Sequence, residues 1–324
     1  MRVRGDEPMS AQNKSAVLLL AHGSPDRVEE IPEFLRYVTG GRPMPEAVVK
    51  EVQHRYGLIG TSPLTRITLK QGELLARELK LPVYVGMRNW HPLIGDVVRQ
   101  MQKDGIARAV VICLAPQNSR TSVGLYRGVL LGDSGKAPFE ADFVDNWHDH
   151  PLLIRAFAEK LEEGWERACE KTGSRVPIIF TAHSVPQRTI TEGDPYEQQA
   201  KETASLVAME VPDLTVDDWQ FAFQSQGMSG GAWLGPTVEA TIRGLKAKGH
   251  RAVFLQPIGF LCDHVEVLYD IDIAFCQFAD KEGMRLWRAE SLNESSTLIA
   301  ALADVARSRL QPAGETKSQI VKIG

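Results

Sequence analysis

A chain of 324 residues with 43% hydrophobic and 24% charged residues has the composition of an ordinary globular protein, long enough for about two domains. Its formal net charge of −4 argues against a general nucleic-acid binder, and an acidic substrate would have to meet a local Arg or Lys cluster. Four scattered cysteines without a CxxC pair, no signal-like segment and no apolar run of about 18 residues point to a cytoplasmic protein without a transmembrane segment.

Residues 1–15 read as a loose, flexible tail. AVLLLAHGSPDR (16–27) begins as a buried strand and breaks at Ala21-His22, Pro25 and Arg27. Helical patterns follow over 28–38 and 47–56, separated by GGRPMP (40–45), and GLIGTSPLT (57–65) is a turn-rich loop. Ile67, Leu74, Leu75 and Leu79 space a helix over 65–79. A strand at 81–87, a helix at 93–103 and a strand at 108–115 complete an alternating order that predicts a parallel, doubly wound sheet. The glycine-rich stretch 117–150 is less regular. A crossing near 140–150 divides the chain into an N-terminal domain, 16–145, and a C-terminal domain, 146–310, with a polar tail at 311–324. The second half repeats the scheme. It has a helix at 152–172, a strand at 177–182, a helix near 197–210 and a strand at 219–224. A helix at 237–248, a strand at 251–260 and helices at 264–282 and 297–310 follow.

PIIFTAHSVP (177–186) restates the opening phrase, with Ala182-His183, Pro186 and Arg188 at the spacing of Ala21-His22, Pro25 and Arg27. In each copy proline bars continuation of the strand and leaves a histidine at its carboxyl end, where open α/β sheets bind ligands. Two such histidines half a chain apart predict two similar halves facing one cleft. Neither half has a GxGxxG fingerprint, and GDSGKA (132–137) lacks the first glycine of a phosphate loop, which argues against dinucleotide binding. Cys113 and Cys262 lie in apolar strand-like contexts, as buried thiols do.

PIGFLCDHVEVLYDID (257–272) ends a strand and places Asp263, Glu266, Asp270 and Asp272 on the first turns of a helix. Glu266 and Asp270, four apart, share one helix face. A strand-end histidine with neighbouring carboxylates suits a divalent first-row metal. Asp263 and Glu266 also form a capping-box pattern, which would make both structural, and a strand-end histidine can be an ordinary loop residue. The residues alone leave these alternatives open.

Collinear phrases close the gap. HRYGLIGTSPLT (54–65), VGMRNWHP (85–92), APQNSRTSVGLY (115–126), TAHSVP (181–186), GDPYEQQ (193–199), FQSQG with WLGP (223–236) and residues 257–272 together resemble the ferrochelatases. These enzymes insert ferrous iron into a porphyrin, forming nitrogen–metal bonds in haem synthesis. The resemblance covers residues 16–310 and implies two Rossmann-like domains of chelatase type with an inter-domain porphyrin cleft. It implies that His183 is pyrrole base or metal ligand, that Glu266 is its partner, and that Asp270 belongs to a second metal or proton path, which Asp272 either extends or leaves for a solvated helix face. Arg55, Tyr56, Ser62 and Tyr126 match positions that line the pocket or meet propionates. Trp233 is expected in the core. The 264–282 helix resembles one that carries a π-bulge in the family.

His22 is a departure, because relatives commonly carry Tyr, Met or Phe there. It is expected to contact the porphyrin, either as an axial metal ligand or as a pocket wall bonded to backbone. Smaller chelatases of related fold use a histidine just after the first strand. The resemblance further implies porphyrin and ferrous iron as substrates and no prosthetic group. The tail QPAGETKSQIVKIG has no cysteine, so no iron–sulfur cluster is expected. Peripheral membrane contact and contacts with upstream or downstream haem-pathway enzymes stay open. Protoporphyrin IX is taken ahead of coproporphyrin III as the substrate. The alternatives are a sirohydrochlorin or cobalt chelatase and a non-catalytic porphyrin or haem carrier.

Overall fold

The computed structural model describes residues 14–226 and 231–310. The tail expected at 311–324 lies outside the described residues, as does that at 1–15 except for Lys14 and Ser15, which already belong to the first strand.

The alternating pattern produces two four-stranded parallel sheets of identical winding. Strands β1 (Lys14–Ala21), β2 (Val83–Met87), β3 (Ile106–Cys113) and β4 (Glu140–Val144) stand in the order β2-β1-β3-β4. Strands β5 (Ile178–His183), β6 (Trp219–Gln224), β7 (Ala252–Pro257) and β8 (Arg285–Arg288) repeat it as β6-β5-β7-β8. In each sheet the winding reverses beside its first strand, so the crevice between the first and third strands opens at their carboxyl ends. The sequence pattern missed β4 and β8, both edge strands. EADFV and RLWR are short, carry charged residues and lack a continuous apolar run. The short helices Val123–Leu131 and Gln187–Thr191 were also absent from that pattern.

Strand periodicity explains how the halves are joined. Successive side chains on a strand point to opposite sheet faces. Val17, Leu19 and Ala21 of β1 and Ile178, Phe180 and Ala182 of β5 all enter one continuous core. That core is filled between the sheets by the helices Pro151–Thr172, Tyr196–Glu210 and Ser296–Leu310. Ala16, Leu18 and Leu20 face the other way, against the outer helices Ile94–Lys103 and Val123–Leu131. Ile179, Val253 and Leu255 likewise pack against Val238–Ala247 and the elements after β7. The last helix returns to the first half, where Arg307 pairs with Glu78 at 2.7 Å and Arg309 with Asp142 at 3.3 Å. No helix among the described residues is long and apolar enough to cross a membrane.

Phe254 shows how tight the shared core is. Its ring fills a notch at Gly164, where a Cβ would lie 2.8 Å from the ring Cζ. Phe254→Ala should therefore cost about 3–5 kcal/mol. The urea midpoint of the variant checks this, and a loss under about 1 kcal/mol would show that the core tolerates a hole there.

Candidate active site

The carboxyl ends of the central strands open into a cleft of about 430 Å³, lined from both halves. That is within the usual range for small-molecule sites. His22 follows β1 and His183 ends β5, so the two copies of the sequence phrase face the same space. Between them the wall is largely apolar, with Phe34, Leu35 and Val52 from the first half and Phe260 and Leu261 from the second.

His183 is positioned by its strand. Its own carbonyl accepts from the Tyr196 hydroxyl at 2.9 Å, and its Nδ1 lies against the Ser184 carbonyl oxygen. A carbonyl only accepts, so Nδ1 carries the hydrogen, and in the neutral ring Nε2 holds the lone pair. Nε2 lies 3.6 Å from Glu266 Oε2. Glu266 reaches this point because β5 and β7 are hydrogen-bonded neighbours, with Thr181 paired to Pro257. The chain leaving β7 then passes directly over β5 at Gly259, where a Cβ would sit 3.1 Å from the Ala182 Cβ. Gln224, at the end of β6, donates to the Glu266 carbonyl at 3.1 Å and accepts from the Thr181 hydroxyl at 3.1 Å.

The capping-box alternative is overturned. His264 precedes the helix Val265–Leu268 and no side chain caps it. Asp263 instead accepts from Ser291 Oγ at 2.7 Å and Asn293 Nδ2 at 2.9 Å. Glu266 Oε2 is buried without a hydrogen-bond partner. A π-helix, Asp270–Phe275, begins one turn later. Asp270 lines the cleft and accepts from Ser225 Oγ at 2.6 Å. Asp272 is not brought to the cleft with it. Both its carboxylate oxygens are held by Arg288 of β8, at 2.6 and 2.9 Å, because a residue two positions along a helix from Asp270 faces the opposite side.

The remaining expected residues line the cleft. Arg55 spans it, bonded to Glu51 at 2.8 Å, 3.8 Å from Asp270 and stacked over Tyr269. Tyr56 is buried with its hydroxyl 3.0 Å from Ser24 Oγ, and Tyr126 lies beneath the Arg88 guanidinium. Ser62 is buried and its Oγ has no partner. Trp233 is half-buried on a loop bridged to Pro186, a correction to its expected place in the core, which its neighbour Leu234 enters instead. Pattern reading missed His264, which lines the cleft, stacks on Phe260 and donates from Nδ1 to the Cys262 carbonyl. Its position two residues before Glu266 was the available signal. Asn89, bonded to His22, carries no signal in the sequence.

Residues 14–310 match the family model described as Ferrochelatase. The chain belongs to the ferrochelatase family. The ferrochelatase of Acidobacterium capsulatum is 55% identical over 313 residues, covering 92% of this chain and 95% of the relative. The coproporphyrin III ferrochelatase of a Geobacillus species is 34% identical, covering 93% and 99%. The solved structure of SirB from Bacillus subtilis with Fe3+ superimposes with a TM-score of 0.57 over 91% of this chain and 95% of that one, at 11% identity. At that identity the likeness shows a shared chelatase fold alone.

Electrostatics set this ferrochelatase-family cleft apart from an ordinary apolar pocket. Burial pushes the Glu266 carboxyl upward, but the positive charge that His183, His264 and His22 carry when protonated outweighs it and holds the group below the usual carboxylate range. Asp270 moves the other way, raised by burial and by the charge of Glu266 despite the Ser225 hydrogen bond. The Tyr56 phenol is pushed up to about 12 by burial. Among the described residues no group of three or more His, Cys, Asp or Glu side chains could hold a metal ion.

His22 faces the open cleft yet sits deep in it, and loss of surrounding water, helped by Arg88, lowers its pKa from 6.5 to about 4. Between these values the unfolded chain binds a proton that the folded chain refuses, so this contribution to stability is lost as pH falls from 6.5 to about 4. The urea midpoint of wild type should fall more steeply over that window than that of His22→Phe. Parallel curves would show that His22 protonates equally in both states.

Proposed function

We propose that this chain inserts ferrous iron into a porphyrin seated in the cleft, with His183 as pyrrole base or metal ligand and Glu266 as its partner. The observation that carries the reading is the facing pair itself. A bare imidazole nitrogen stands 3.6 Å from a buried carboxylate oxygen that has no hydrogen-bond partner, on the wall of an apolar cleft. Family membership supports the same chemistry.

Metallation exchanges two pyrrole protons for Fe2+ while the iron sheds water. His183 Nε2 has the lone pair to accept a proton or bind the ion. The 3.6 Å gap to Glu266 is too long for a direct hydrogen bond and too short to seat an atom in line, so a proton carrier or the ion would meet both groups from the open cleft. Glu266, held ionised, balances either the imidazolium or the metal charge. Asp270, one turn away and easier to protonate, extends the path toward Arg55. Asp272, engaged with Arg288, is left out of it. A two-ligand set leaves coordination positions to the porphyrin nitrogens, as a site that hands its metal over requires. Fe2+ is thus a substrate, and the chain is proposed to carry no prosthetic group and no cluster. Tyr56, Ser62, Tyr126 and Arg55 are proposed to contact the porphyrin.

Protoporphyrin IX fits the lining better than coproporphyrin III. Among the described residues Arg55 is the one guanidinium lining the cleft, and it is already shared by Glu51 and Asp270, which leaves little positive charge for four carboxylates.

Anaerobic ferrous insertion, followed by absorbance with both porphyrins in parallel, tests this. Wild type should turn over, faster with protoporphyrin IX. His183→Ala should lose about 10²-fold or more in kcat and Glu266→Gln a comparable factor, whereas Asp272→Asn should stay within about twofold. A His183→Ala variant of unchanged rate would overturn the assignment. An absorbance shift without turnover in wild type would put a porphyrin carrier in its place.

A further inference from the structure

The His22 imidazole lines the cleft with both ring nitrogens engaged. Nδ1 lies 2.9 Å from the Gly23 carbonyl oxygen, so it carries the hydrogen. In the neutral ring Nε2 is then the lone-pair nitrogen, and it lies 2.9 Å from the Asn89 side-chain amide nitrogen, which donates to it. Asn89 is only 2% exposed, and its backbone N–H also donates to the His22 carbonyl at 2.9 Å. One residue therefore clasps His22 twice.

The clasp is built into the sheet. Arg88 N–H donates to the Ala21 carbonyl at 2.9 Å, continuing the β1–β2 pairing past the strand ends. Gly23 adopts φ +80°, and a Cβ there would lie 2.9 Å from the Cβ atoms of both Met87 and Trp90. The loop after β1 thus rests directly on the loop after β2. Phe34 closes the other side of the His22 ring edge-on, with centroids 5.9 Å apart.

We infer that Asn89 is a positioning residue that withholds His22 Nε2 from iron, so that metal is handed over from the His183–Glu266 side of the cleft. The inference rests on the proposed function. Its physical logic concerns the product. A neutral imidazole with a free lone pair is a strong iron ligand. A second one, offered from the opposite half, could trap metallated porphyrin as a six-coordinate bis-imidazole complex. Occupying Nε2 with an amide N–H keeps an apolar, ring-shaped wall in the cleft while removing its donor.

Two measurements on the full chain test the clasp. In 15N-histidine-labelled protein, the His22 signal is identified by its loss in His22→Phe. It should report a neutral ring protonated at Nδ1 throughout pH 6–8, and protonation at Nε2 or titration within that range would overturn the inference. Ferric haem b is then added to wild type, Asn89→Leu and Asn89→Leu/His22→Phe. Wild type should give a high-spin spectrum, and Asn89→Leu should gain a low-spin six-coordinate species that the double variant loses. A wild-type low-spin species that disappears in His22→Phe, or an Asn89→Leu spectrum identical to wild type, would overturn it. Ferrous insertion by wild type is assayed alongside. Its absence would sink the proposed activity, while the nitrogen signals of the metal-free protein still decide the clasp.

Discussion

The site depends on a single backbone constraint: β5 and β7 are adjacent parallel strands whose chains diverge only after their carboxyl ends. Adjacency brings the residue that ends β5, His183, within reach of the first turn after β7, which holds Glu266. The contact also requires the intervening chain to lie flat on the sheet. Gly259 permits this, because any side chain there would press on Ala182. Gln224 from the third neighbour, β6, then ties the turn down through its carbonyl. Three strands, none contiguous in sequence, thus set one distance.

The first half repeats the geometry and uses it differently. His22 occupies the position after β1 that His183 occupies after β5, yet its lone-pair nitrogen meets an amide donor, whereas that of His183 faces a carboxylate. The difference lies in the neighbouring strand's loop, Asn89 after β2, and not in the histidine phrase. Repeated halves thus place two imidazoles with different partners in a common space, one of them the proposed reactive group.

The walls hold that space because the halves are joined by more than a linker. The helices Pro151–Thr172 and Ser296–Leu310 fill one core between the sheets. Polar bonds cross at the cleft floor. Gln71 donates to the Asn293 carbonyl at 2.7 Å and Gln117 donates to the Ile258 carbonyl at 3.1 Å, while Arg120 pairs with Glu192 across the exposed rim. A floor stitched from both sides suits a rigid, planar ligand, since the walls need not close to complete the site. Within it, opposed shifts of Glu266 and Asp270 separate an acid that stays ionised from one that accepts a proton more readily.

The sequence by itself determined the alternating strands and helices, the repeated strand-end histidine and, through its collinear phrases, the family. Buried central strands are legible because their apolar runs are continuous; the edge strands β4 and β8 are not, because they are short and carry charged residues, which the legible edge strands β2 and β6 lack. Helical spacing already groups Glu266 with Asp270 and sets Asp272 on another face, but tertiary structure alone decided that the first two face the cleft and that the third meets Arg288. It also decided the state of each histidine. Which nitrogen carries the proton is set by carbonyl and amide partners from Ser184, Gly23 and Asn89, and two of those partners are brought there by backbone turns and one by a neighbouring strand.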